Sequence, residues 1–301
     1  MSDTWLILLV TAALGFALFA FCLKKRGLPP VLSLASLPLC CLLGAALAKV
    51  LYVLFLQLED VVVWGEWDVF LDFQPKRLCF FGGAAGAVLG VFLAAKCLRQ
   101  PAQMALDAFA APGAWMVAGF RAAEVTLGRL GTGTFVEHDG LFSRPPFVLI
   151  DTYGDRWEAI FFWEAAVALV VCLLALFSRE KRPGITFHRA VFRLCLCQIL
   201  LESMRSVSMR WGFVHVEMAT AAAVVLLLTV VDAWRFHRAW WPGLATLLLM
   251  GGIVGAEFAR QKASSPFLAD YGYVLMALVL ALMGLIYWWV LRPKAKKKVS
   301  A

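Results

Sequence analysis

Long apolar runs alternate along the chain with short polar punctuation, and most runs have the length of a membrane crossing. A helical span needs about 20 mostly apolar residues. On that measure the pattern predicts helices over residues 4–23, 31–57, 79–96, 103–126, 159–177, 186–203, 214–233, 240–258 and 271–291. Arg189, Arg193 and Glu202 interrupt the sixth, so a re-entrant segment lining a cavity is the alternative there. The expected fold class is an all-α, polytopic transmembrane helix bundle of nine spans.

Composition sharpens this picture. The 301 residues are 62% hydrophobic and only 16% charged, with a mean hydropathy of +0.80, whereas a soluble domain is about a quarter charged. The net charge of +8 does not point to nucleic acid, because the lysines and arginines sit in short clusters between apolar runs. Such clusters mark cytoplasmic loops. With the N-terminus outside, the inner loops are Lys24-Lys25-Arg26, residues 96–99, 179–182 and 235–238, and the tail from Arg292, whose lysines at 294–298 read as an anchor with affinity for anionic lipid. The outer loops then carry Glu59, Asp60, Glu66, Asp68 and Asp72, and later Glu137, Asp139, Asp151 and Asp155. Nine spans, N-terminus out and C-terminus in, satisfy the rule at each crossing.

Residues 59–75, rich in Trp and Phe among acids, read as an interfacial segment. Residues 128–158, with Pro145-Pro146, read as an external loop or small cap. The acidic start Met1-Ser2-Asp3-Thr4 and the lack of a small-residue cleavage site make the first run a retained helix. The eight cysteines lie in or beside apolar segments and read as small hydrophobes. No Cys/His spacing marks a metal, and no P-loop or dinucleotide motif implies a cofactor.

Against this apolar background a few polar groups stand out, and ionisable groups at membrane depth are functional candidates by default. Arg121 and Glu124 lie three apart on one helix face. Glu164 sits within Phe161-Phe162-Trp163-Glu164, and Gln198, Glu202 and Arg205 share a face of the sixth span. Lys49 lies near Tyr52 in the second. Each could be a structural ion pair. Together they fall toward the outer half of their helices, which suits a shared pocket for an anionic headgroup, with arginine as a bidentate phosphate ligand. The Gly82-Gly83 pair at the mouth of the third span would let a backbone or headgroup approach closely. His138, His188, His215 and His237 are scattered and read as surface residues.

At these residues the chain resembles the bacterial prolipoprotein diacylglyceryl transferase family over about residues 44–233. Phe80-Phe81-Gly82-Gly83-Ala84-Ala85-Gly86 is similar to the family's Phe-His-Gly-Gly-x-x-Gly, and Asp107 and Arg121 fall where its fourth helix has Asp and Arg. Ala48-Lys49-Val50-Leu51-Tyr52 resembles Gly-Arg-x-Gly-Tyr, and Phe161-Phe162-Trp163-Glu164 resembles Gln-Leu-Tyr-Glu. Lys181-Arg182-Pro183-Gly184, then Glu202 and Arg205, resemble the Arg-Pro-x-Gly segment and Glu-x-x-Arg. The chain departs from the family at Phe81 (His there), Glu124 (Asn), Arg129 (Glu) and Gln198 (Arg), and lacks a Tyr within residues 4–10.

The resemblance implies a transferase domain over residues 1–237 and two additional helices with a basic tail over 238–301, in a bacterial cytoplasmic membrane. It implies transfer of a diacylglyceryl group from phosphatidylglycerol to the thiol of a lipobox cysteine in a prolipoprotein, with no cofactor or metal. Arg121 and Arg205 would clamp the phosphate while Glu164 and Glu202 orient them or handle a proton. Gly82, Gly83, Lys49, Tyr52, Glu124 and Gln198 would line the substrate. The alternative expectation is a non-catalytic relative that binds anionic lipid or lipoprotein precursors.

Overall fold

The computed structural model describes residues 3–137, 143–208, 210–211, 214–261 and 266–292. His138, Asp139 and the lysines at 294–298 lie outside the described residues. The fold is all-helical, 76% helix and 3% strand. In chain order the helices are α1 (Asp3–Lys25), α2 (Val31–Leu56), α3 (Leu58–Trp64), α4 (Phe80–Cys97), α5 (Ala102–Ala123), α6 (Ile160–Leu176), α7 (Ile185–Ser203), α8 (Val216–Arg235), α9 (Trp241–Gln261) and α10 (Pro266–Leu291). The nine long ones follow the nine predicted apolar runs. Among the described residues, six helical stretches are long and apolar enough to cross a membrane: α1, α2 continued by α3, α4, α8, α9 and α10. Helix α6 is apolar but shorter. The chain is a multi-pass membrane protein.

The chain forms two compact units, residues 1–220 and 221–301. In the first, α2 and α4 make the most extensive pairing, followed by α5 with α6 and α1 with α5. Glycine explains the first of these. On α4, Gly82, Gly86 and Gly90 stand four residues apart on one face. A Cβ at any of them would collide with the backbone of Leu47, Leu43 or Cys40 on α2. Small residues at this spacing let helix backbones approach without a hydrophobic driving force between them. The core beneath is built around Phe19, Leu23, Leu32, Val91 and Phe109, with Phe19 and Phe109 edge to face at 5.2 Å.

The interrupted segment is a continuous helix, α7, and its start is capped from another helix. Gly184 adopts φ +84° and offers no side-chain cap of its own. Asp107 on α5 instead accepts hydrogen bonds from the backbone N–H groups of Gly184 (2.8 Å) and Phe187 (2.9 Å), satisfying donors the helix leaves open. Arg26, after α1, pairs with Asp107 at 3.5 Å and donates to Thr186 Oγ1 at 3.1 Å. Lys25 Nζ donates to the carbonyl of Leu176 at the end of α6 (2.8 Å). The end of α1, the start of α5, the end of α6 and the start of α7 therefore meet, and the opposite ends of these helices meet at the other side. Helices α5, α6 and α7 thus alternate in direction along the chain, and α1 runs antiparallel to α5.

The segment read as an interfacial loop contains α3 and short 3-10 turns at Trp67–Leu71 and Pro75–Arg77, and its Trp64, Trp67 and Leu71 are exposed. The segment read as a cap contains an antiparallel pair, β1 (Val148–Ile150) with β2 (Arg156–Glu158). A second small pair, β3 (Arg210–Trp211) with β4 (Val214–His215), leads into α8. In the second unit α9 packs on α10, and Tyr287 donates to the buried Asp232 at 2.7 Å.

Candidate functional site

At the end of the bundle away from the basic loops, polar side chains from four helices converge. Arg121 and Glu124 come from the last turn of α5 and the 3-10 turn that continues it. Glu164 comes from the first half of α6, and Gln198 and Glu202 from the last turns of α7, with Arg205 just beyond. Glu217 comes from the first turn of α8. None of the six charged groups is more than 7% exposed.

The arginines are held by shared carboxylates. Arg121 Nη1 donates to Glu124 Oε1 (2.7 Å) and Nη2 to Glu217 Oε2 (2.6 Å), while Nε lies 3.3 Å from Glu164 Oε2. The ring of Phe80 covers the guanidinium face at 4.1 Å, a cation–π contact. Arg205 Nη2 donates to Glu124 Oε2 (2.8 Å) and to Glu164 Oε2, and Nε donates to Glu164 Oε1 (3.2 Å). Glu124 and Glu164 thus each bridge both guanidiniums. Gln198 Nε2 donates to Glu164 Oε1 at 2.8 Å and lies 3.3 and 3.4 Å from Glu202 and Glu217. Gly131, at φ +80°, passes so close to the Glu124 carboxylate that a Cβ would collide with it.

Two guanidiniums therefore face four carboxyl groups in a dry place. Burying ions costs several kcal/mol each, repaid only where nearly every donor and acceptor is matched. Such a cluster is an expensive way to hold helices together, and intramembrane charges of this kind mark pathways and sites.

The cluster forms one wall of a cavity of about 80 Å³, whose lining includes Phe80, Phe120, Leu130, Lys76 and Ser208 as well as Arg121, Glu124, Glu202, Arg205 and Glu217. That is room for a few waters or a compact polar group. The walls join apolar side chains to three basic groups (Arg121, Arg205 and Lys76) and three acids, so the arrangement can hold a charged group, exchange a proton with it, and exclude bulk water.

Of the residues singled out from the sequence, Arg121, Glu124, Glu164, Gln198, Glu202 and Arg205 come together here. Gly82 faces the α2 backbone, and Gly83 lies beside it with nothing nearer to a Cβ than Ala48 Cβ at 3.8 Å. Lys49 is 1% exposed, its Nζ lies 5.3 Å from the centre of the Tyr52 ring, and that atom makes no hydrogen bond among the described residues. Neither glycine, Lys49 nor Tyr52 lines the cavity. Arg129 stacks on Trp157 at 3.5 Å.

One expectation is corrected. His215, read as a surface residue, is 2% exposed: β4 carries it inward, where Nδ1 lies 2.8 Å from Ser208 Oγ and 3.9 Å from Glu202 Oε1. Sequence reasoning also missed Glu217. The available signal was an acid opening a long apolar helix, which reads as a partner for the helix dipole and hides a second role. No protein-family model matches the chain, and no curated protein matches it.

Proposed function

We propose that the protein is a diacylglyceryl transferase of the bacterial cytoplasmic membrane, with nine spans, N-terminus outside and C-terminus inside. Phosphatidylglycerol is the donor and the lipobox cysteine thiol of a prolipoprotein the acceptor, with no cofactor or metal. Residues 1–237 carry the reaction and residues 238–301 add two helices and the basic tail. The observation that carries this reading is the pairing of Arg121 and Arg205 across shared carboxylates at the wall of one cavity.

The geometry supports it in one specific way. The two oxygens of Glu124 each take a donor from a different arginine, the bonding that two oxygens of a phosphate would accept. When Glu124 swings aside, a lipid phosphate takes its place. The cysteine sulfur then attacks the glyceryl carbon that carries the phosphate. The carbon–sulfur bond forms, the carbon–oxygen bond breaks, and glycerol phosphate leaves between the guanidiniums, which stabilise the charge on the departing oxygen. The thiol proton passes to Glu202.

A second reading is a non-catalytic membrane protein that binds anionic lipid or lipoprotein precursors. Two observations favour it: both guanidiniums are already occupied by carboxylates, and Phe81 stands where the resembled motif has a titratable His. The test is expression in a strain depleted of its own transferase, reading a lipobox substrate by mass. The transferase adds a diacylglyceryl mass, and Arg121→Ala lowers the rate by about a hundredfold, the usual cost of one charge-stabilising donor. If the wild-type protein, folded and inserted, adds no mass, the transferase reading falls and the binding reading stands.

A further inference from the structure

A second cavity lies at the opposite end of the first unit, between the end of α6 and the start of α7, and the Arg121 cluster takes no part in it. Its volume is about 430 Å³ and its walls are Leu174, Ala175, Ser178, Arg179, Glu180, Thr186, Arg189, Ala190 and Arg193. Helical spacing aligns the α7 side: Thr186, Arg189 or Ala190, and Arg193 fall three or four apart and form one stripe toward α6.

Charge in this cleft is unbalanced. Three arginines line it with a single carboxylate, Glu180. That carboxylate is taken up largely by Arg182, which donates to it from Nε (3.0 Å) and Nη2 (2.9 Å), while Arg189 Nη1 stands 3.3 Å away. Lys25 and Arg26 stand close behind, engaged with the Leu176 carbonyl and with Asp107 and Thr186. Arg189 and Arg193 stand four apart on one helix face, a spacing at which like charges disfavour each other.

The cleft is also amphipathic. Its lining includes two hydroxyls, Ser178 and Thr186, 3.4 Å apart, and the last turn of α6 and the residue after it expose Leu173, Leu174 and Phe177. Guanidiniums and hydroxyls at the rim of a span, beside an apolar helix face, suit the phosphate of a lipid whose chains run along that face. A soluble anion would use the cations and leave the apolar face unused. Basic clefts between spanning helices at an interface are of the kind that hold anionic headgroups.

We propose that the α6–α7 cleft is a second binding site, for the headgroup phosphate of an anionic glycerophospholipid, held by Arg179, Arg189 and Arg193 with Ser178 and Thr186. It does not depend on the reaction at the other end of the bundle. Occupancy ties the ends of α6 and α7 together, and these are the two helices that deliver Glu164, Gln198 and Glu202 to the distant cluster.

The test uses the full chain, delipidated in neutral detergent and titrated with dioleoylphosphatidylglycerol, dioleoylphosphatidylcholine or inorganic phosphate, counting bound lipid by native mass spectrometry. The wild-type protein should take up one more phosphatidylglycerol than Arg189→Gln/Arg193→Gln, whose affinity for that lipid should fall at least about tenfold. Phosphatidylcholine should not fill the site, and phosphate in millimolar excess should not displace the lipid. Arg193→Glu alone, at an exposed side chain, should give the same loss with Arg189 left in place. Equal lipid counts in wild type and variants would overturn the proposal, as would equal filling by phosphatidylcholine. Displacement by phosphate would reassign the cleft to a soluble anion and overturn the lipid assignment.

Discussion

At the scale of single residues, the chemistry is set by how few partners a buried charge can lose. Arg121 is surrounded by Glu124, Glu164 and Glu217, with Phe80 over its face. Arg121→Ala leaves Glu124, Glu164, Glu202 and Glu217 with Arg205 as the remaining guanidinium of the cluster, and removing one partner of a buried pair costs about 3–5 kcal/mol. Glu217→Gln in the same background should recover part of that loss, because it removes one of the stranded charges. A double-mutant cycle on thermal unfolding in detergent should give a coupling of roughly 0.5–3 kcal/mol; additivity would mean that the two side chains do not share a network. At the other end of the bundle, hydrogen bonds from the Arg182 side chain hold the Glu180 carboxyl down to about 2, against an ordinary value of 4.5. Its folded pKa being depressed, the stability it contributes is complete above pH 4.5 and is lost as pH falls toward 2. An NMR titration of that carboxyl should show the low midpoint, and Arg182→Gln should return it toward 4.5. Residue spacing alone disclosed much of the central cluster: Arg121 with Glu124, and Gln198 with Glu202 and Arg205, are one-face patterns visible in the chain. His215 was not visible, because β3 and β4, four paired residues with no strong pattern of their own, turn it inward, and Glu217 was hidden by its place at the start of α8, where an acid reads as a partner for the helix dipole.

At the scale of elements, hydrophobic length located nine helices within a few residues, since water exclusion along a whole span is a signal summed over about 20 positions. It gave no access to which helices touch, which depends on side-chain size at a few positions. Gly82 and Gly83 are neighbours in sequence and alike in kind, yet only Gly82 is pressed against the α2 backbone, while Gly83 meets α2 at ordinary contact distance. The informative spacing is 82, 86 and 90, a stripe rather than a pair. Gly86→Ala should push α4 off α2 and lower thermal stability by about 1–3 kcal/mol, the usual penalty of overpacking. Gly83→Ala, with Ala48 Cβ at 3.8 Å and Gly44 O at 4.0 Å, should be tolerated and, by helix propensity, slightly stabilising. A melting curve of the two variants side by side decides it, and equal losses would remove the packing role from the stripe. Helix α7 shows the opposite case. Its charges make it the least certain span in the sequence, and what the structure shows is a continuous helix, with Asp107, from α5, over its open N-terminal donors.

At the scale of the whole molecule, the remaining question is which way the chain faces the membrane, and the first unit supplies a strong internal constraint. Its helices alternate, so one end collects Lys25, Arg26 and the Glu180–Arg182 segment, while the other collects the Arg121 cluster and the acids of the loop after α2. A basic end is retained in the cytoplasm because translocating lysine and arginine is costly. On the proposed orientation the Arg121 cavity lies toward the outer leaflet, where the proposed acceptor, an exported lipobox cysteine, would reach it. Labelling with a membrane-impermeant maleimide tests this in intact cells. Tyr153, 90% exposed in the segment between β1 and β2, should react from outside once changed to Cys. The native Cys97, exposed beside the basic turn after α4, should react only after the membrane is opened. The reverse pattern would put the Arg121 cavity on the cytoplasmic side, where an exported acceptor thiol never arrives, and would end the transferase reading even with every side chain in the cluster where the structure places it.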